Sequence, residues 1–151
     1  MTRFDFYHLQ KSPLEQVLPK LCEKAYASGN HIKIMVGNSE RVEFINSLLW
    51  TYNEESFLPH GSKKDGFAEE QPIFISDNEA NENNAQILIL VDGAKLDVSL
   101  LDTYERILNI FDGNDTVALN NARTYWKEIK EFGGELHYWQ QNDKGVFEQK
   151  F

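Results

Sequence analysis

The sequence predicts an α/β domain built on a single open, mostly parallel sheet with helices on both faces. Three observations predict it. Apolar runs suited to strands alternate with amphipathic helical stretches from the N-terminus onward. Residues 86–91, QILILV, form a continuous apolar run of the kind buried on both faces of a parallel sheet. From about Thr116 a long helix carries Ala118, Ala122, Tyr125, Ile129 and Phe132 at spacings of four, three, four and three, which defines a core-facing stripe, and Gly133-Gly134 stops it.

Taken in order, residues 4–9 alternate Phe4, Phe6 and His8 as a short strand. Pro13 then opens a helix whose Leu14, Val17, Leu18, Leu21, Cys22 and Ala25 share one side, and Gly29 ends it. Residues 31–36 suit a buried strand. Asn38 or Ser39 can cap the next helix, which carries Val42, Ile45 and Leu49. Beyond Tyr52 the periodicity is lost. Residues 72–75 make a brief strand, and residues 61–85 as a whole read as an acidic surface loop region, with DNEANENNA its solvated end. Asp92-Gly93 ends the strongest strand, residues 96–101 form a short helix or turn, and residues 106–111 fit a strand or equally a helix. Residues 136–140 read as a final edge strand.

A chain of 151 residues with ten Phe and three Trp supports one domain, residues 1–151, around a single sizeable core. No apolar run approaches the roughly 20 residues that span a bilayer, and the N-terminus lacks the apolar block of a signal peptide, so a cytoplasmic protein with no membrane partner is expected. The lone Cys22 excludes an intrachain disulfide and reads as a small core residue. The net charge of −9 is concentrated in the middle: residues 53–116 carry four basic and fourteen acidic side chains, whereas residues 117–151 carry five of each. Such a field repels phosphate backbones over most of the surface, so DNA is expected to be reached only indirectly.

Phosphate chemistry finds no motif. The turn after the first strand, Gln10-Lys11-Ser12-Pro13, has no glycine, and the glycine-rich and P-loop patterns are absent, so the fold is expected to be Rossmann-like without a nucleotide or other cofactor. His8, His31, His60 and His137 have no metal-ligand spacing. Asp92, at the end of the strongest strand, occupies a position that open sheets use for catalysis, but it has neither a phosphate cradle nor a partner in sequence. No catalytic residue is therefore assigned.

The long helix carries a second stripe. Arg123, Trp126, Lys127 and Lys130 lie about 100° around the cylinder from the core stripe, placing a large ring among three cations. Two readings fit: a solvated basic face with Trp126 tucked against the chain, or a site for a ligand with negative charge and an apolar anchor. Trp50, Phe57, Leu58 and Pro59 form a second apolar cluster, which reads either as an interface or as a satellite core under a loop.

These residues carry a family resemblance. Phe6-Tyr7-His8-Leu9, Leu49-Trp50 with Ser56-Phe57-Leu58-Pro59-His60, and Ala122-Arg123 with Trp126-Lys127, Gly133 and Tyr138-Trp139-Gln140-Gln141 together resemble the chi subunit of bacterial DNA polymerase III, nearly end to end. The resemblance implies a non-catalytic accessory subunit of the replicative clamp loader, with one surface for the small psi subunit and another for the acidic, Phe-terminated tail of single-stranded-DNA-binding protein. By motif, Arg123, Trp126 and Lys127 match the tail-binding helix, and Lys130 joins them by helix geometry. Trp50 and Phe57, with Leu58 and Pro59 beside them, match the psi-facing region, which could instead serve another partner such as a helicase. The stacking position is Tyr in some members and Trp here, and residues 77–85 match no family motif. A different class of function, a small α/β enzyme acting on a nucleotide or phosphorylated metabolite near Asp92 and Gly37, is the alternative.

Overall fold

In a computed structural model, which describes residues 2–52 and 58–150, eight strands form one sheet. The strands are β1 (Arg3–Leu9), β2 (Ile32–Val36), β3 (His60–Ser62), β4 (Ile73–Ser76), β5 (Ile87–Val91), β6 (Arg106–Asp112), β7 (Glu135–Gln141) and β8 (Phe147–Gln149). Their order across the sheet is β3-β4-β2-β5-β6-β1-β7-β8, and every pairing is parallel except β7 with β8. The helices are α1 (Leu14–Ala27), α2 (Glu40–Thr51) and α3 (Thr116–Phe132).

Alternation along the central strands sends successive side chains to opposite faces. Tyr7, Leu9, Ile32, Ile34 and Ile89 pack with Val17, Leu18 and Cys22 of α1 and Ile45 and Leu49 of α2. Phe4, Phe6, Leu88, Leu90 and Ile107 pack with Ala122, Tyr125 and Ile129 of α3. Helices therefore cover both faces, with α3 opposite α1 and α2. Cys22 is fully buried, and burial pushes its thiol up to about 12, so it fills space rather than reacting. Among the described residues no helix is long and apolar enough to cross a membrane.

Several expectations are corrected. Residues 60–62 pair with β4 as an edge strand inside the stretch read as loop, because three residues are too few to show alternation. The strand at residues 135–141 is not an edge, since Phe147–Gln149 turns back and pairs with it. Residues 77–85 are not simply solvated. Lys33, fully buried in β2, forms an ion pair with Glu82 and donates to the Asn78 and Ala80 carbonyls, while the buried Asn83 donates to the Ile32 and Gln71 carbonyls. A buried ammonium must find such acceptors, and this segment supplies them. On α3, Phe132 is 41% exposed and lies beyond the core stripe, because the helix ends there at Gly133, whose left-handed φ of 97° turns the chain away.

Among the described residues, Asp5 is the other fully buried charge. Arg3 and Arg106 ion-pair with it at 3.0 and 2.8 Å, and Nε1 of Trp139 donates to it at 2.9 Å, which ties β1 to both of its neighbours. Burial pushes its carboxyl up, but the hydrogen bonds from Arg3, Trp139 and Arg106 outweigh burial and hold it below the ordinary range. The stability tied to this ionisation is complete above the unfolded carboxylate value, about 3.9, and is lost as pH falls from there through the lower folded value. Asp5→Asn should lower unfolding free energy at pH 7 by about 3 kcal/mol, the low end for a broken buried pair because both guanidinium groups reach solvent. Urea unfolding checks this, and a loss under about 1 kcal/mol contradicts it.

Candidate protein-docking face on the third helix

Helix α3 starts where Asp115 caps it, accepting from the amides of Val117 and Ala118 at 2.9 and 3.3 Å. With Ala122, Tyr125 and Ile129 buried, the cylinder's geometry turns Arg123, Lys127 and Lys130 outward, and all three are exposed. None of the three makes an ion pair with any described residue. Trp126 lies at the boundary between the stripes and is half-buried. Its ring meets Phe6 edge-on at 5.2 Å and Tyr138 at 5.6 Å. The face is thus only partly free of core duty: the sheet beneath holds the ring in place, and the cations surround it.

The floor beside Trp126 comes from three adjacent strands. His8 of β1 stands level with Phe111 of β6, and Phe6 with Tyr138 of β7. Nδ1 of His8 and the Tyr138 hydroxyl share a hydrogen bond of 2.6 Å, and the His8 ring lies 5.1 Å from Phe111. Position 113 admits only glycine, because a Cβ there would come within 1.9 Å of Nε2 of His8. Burial lowers the His8 pKa, and the positive charge of Arg123 lowers it further against an opposing pull from Asp112. Burial raises the Tyr138 hydroxyl, and Arg123 acts against that rise. The Arg123 charge thus falls on this floor. In the sequence His8 and Tyr138 stand among the family motifs with no site role, and Phe111 in a stretch that fits a strand or equally a helix. The period-two pattern of Phe4, Phe6 and His8 was the available signal.

The second predicted cluster divides. Trp50, at the end of α2, is 50% exposed, with its ring 4.4 Å from that of His60. Leu58 is a core residue at 3% exposure, which favours the satellite-core reading for that side chain, and Pro59 is half-buried. Phe57 lies outside the described residues.

The enzyme-like position is also visible. A crevice of about 750 Å³ opens at the C-terminal ends of β5, β6 and β1, lined by Arg41, Asp92, Asn109, Asn121 and Tyr125 among others. Asp92 accepts from Nε of Arg41 at 2.8 Å, so the partner that the sequence did not reveal comes from the first turn of α2. Among the described residues no group of three or more His, Cys, Asp or Glu is placed to hold a metal ion.

The model of the family described as DNA polymerase III chi subunit, HolC, matches residues 1–137. A protein named probable DNA polymerase III subunit chi, from Rickettsia prowazekii (strain Madrid E), is 31% identical over 140 residues, covering 89% of this chain and 82% of that protein. The chain belongs to the DNA polymerase III chi subunit family, accessory subunits in DNA replication.

The proximity of Arg123 to the floor is testable. With its folded pKa below the ordinary value of about 6.5, His8 contributes stability that is complete above that value and lost as pH falls toward the folded one. Arg123→Ala should raise the His8 pKa part of the way back, leaving the larger burial effect, as read by NMR titration. An unchanged His8 value contradicts the geometry.

Proposed function

We propose that this chain is a non-catalytic adaptor of the clamp loader, acting in the cytoplasm, that joins the psi subunit to the acidic C-terminal tail of single-stranded-DNA-binding protein. The observation that carries the reading is the trio of exposed cations, none ion-paired with a described residue, around a half-buried tryptophan. A tail with several Asp residues and a terminal Phe offers the matching groups. Arg123 pairs with the terminal carboxylate, Trp126 packs on the Phe ring, and Lys127 and Lys130 attract the upstream acids. Because Tyr138 and Phe6 already fix the Trp126 ring, docking orders the peptide but little of the protein. An ordering cost for the tail remains, and affinity on the order of micromolar follows.

The second surface is Trp50 with Pro59, Leu58 supporting it from the core; Phe57, which the resemblance also assigns to it, lies outside the described residues. Psi is the expected occupant, and a helicase would use the same apolar groups. Support for bridging comes from position: α2 and α3 pack against opposite faces of the sheet, so partners on Trp50 and Trp126 need not collide. DNA is then engaged through the bound proteins, in keeping with the net charge of −9.

Calorimetric titration with an acidic Phe-terminated peptide should show saturable binding that weakens as salt rises. Arg123→Ala should reduce affinity at least tenfold, consistent with about 1.5–3 kcal/mol for charge-assisted hydrogen bonds, while Trp50→Ala should leave it unchanged. Equal affinity in Arg123→Ala and the unaltered chain refutes the site.

A further inference from the structure

The turn between β1 and α1 makes an unusual set of contacts. The backbone N–H groups of Gln10, Lys11 and Ser12 all donate to one atom, Oε1 of Gln141, each at 3.0 Å. Pro13, which has no N–H, ends the set. Gln141 is the last residue of β7 and is 2% exposed, and its Nε2 donates to the Gly145 carbonyl at 3.2 Å within the β7–β8 hairpin. The hairpin closes over the turn, since a Cβ at Gly145 would lie 3.3 Å from Oγ of Ser12.

Consecutive N–H groups converging on one point form a concavity that favours anionic oxygen. Here the concavity follows the first strand of an open parallel sheet and leads into a helix, where such folds hold phosphate. The absence of glycine in Gln10-Lys11-Ser12-Pro13 suggests that no cradle forms, yet the donors are present and convergent. They are already occupied by a side chain from more than 120 residues away in sequence.

We infer that Gln141 is the residue that denies this turn to anions: its carboxamide oxygen fills, from within the chain, a cradle whose donors suit a carboxylate or phosphate oxygen. A neutral amide oxygen accepts more weakly than an oxyanion, but the fold already seats it, so a free anion must break three formed hydrogen bonds and lose its own translational freedom to replace it. The consequence is specificity at the level of the whole domain. Anionic ligands are left to the side-chain cations of α3, and the crevice beside β1 receives no backbone phosphate grip. This inference stands apart from tail docking, because no residue of the α3 face takes part in it.

A residue that merely staples the hairpin to the turn would leave nothing behind but lost stability when removed. A plug leaves a binding site. In Gln141→Ala, inorganic sulfate titrated at constant ionic strength should give saturable shifts of the Gln10, Lys11 and Ser12 amides by NMR. The apparent affinity should be at least tenfold tighter than in the unaltered chain. A folded Gln141→Ala without such shifts, or an unaltered chain that binds sulfate there equally well, overturns the inference. Should Gln141→Ala fail to fold, Gln141→Glu decides the matter. A carboxylate in the same seat should titrate below its ordinary value of about 4.3, the three donors outweighing the Gly145 carbonyl that its second oxygen would face. A value at or above that overturns the inference.

Discussion

The arrangement of this domain depends on one buried carboxylate. Asp5 lies in the strand between β6 and β7 and receives a donor from β1 itself and from each neighbour: Arg3, Arg106 and Trp139. A charge with no solvent exposure is tolerated only when its acceptor positions are filled, so the three donors and the three strands must assemble together. The register that results sets Phe6 beside Tyr138 and His8 beside Phe111 on the opposite side of the sheet. Because the polar network is confined to the α1 side, the α3 side of β1 carries two phenylalanines and one neutral-favouring histidine, and this aromatic surface receives Trp126.

Helix α3 then resolves two demands that compete for one cylinder. Its core stripe is narrow, with Ala122, Tyr125 and Ile129 buried, which leaves the adjoining stripe free to carry charge. Trp126 shares in both. Its contacts with Phe6 and Tyr138 restrict the ring, and a restricted aromatic makes a better anchor than a mobile one because less entropy is lost when a ligand arrives. Lys33, whose buried ammonium pairs with Glu82, offsets part of the negative charge of residues 77–85.

What the sequence disclosed and what it concealed follow from the range of each interaction. Alternation and helical spacing are local, so the central strands, all three helices and the outward position of Arg123, Lys127 and Lys130 were legible. Strands β3 and β8, of three residues each, gave no pattern to count. The roles of Lys33 and Gln141 were hidden, and that of Leu58 was left open between an interface and a satellite core, for a different reason. Each depends on a partner or environment brought close only by folding: Glu82 for Lys33, the Gln10–Ser12 turn for Gln141, and the α1–α2 core for Leu58. The site was half legible for the same reason. The helix face could be read directly, whereas the floor of His8, Phe111 and Tyr138 requires β6, β1 and β7 to lie side by side.

The central claim is that the aromatic-basic face of α3, seated on this floor, is where an acidic Phe-terminated tail docks. Backbone and side-chain NMR of the whole chain, recorded as such a peptide is added, tests it most directly. The account predicts that the largest shifts fall on His8, Arg123, Trp126, Lys127, Lys130 and Tyr138. Shifts concentrated instead on Arg41, Asp92, Asn109 and Asn121 of the crevice, or on Trp50 and Pro59, would contradict it.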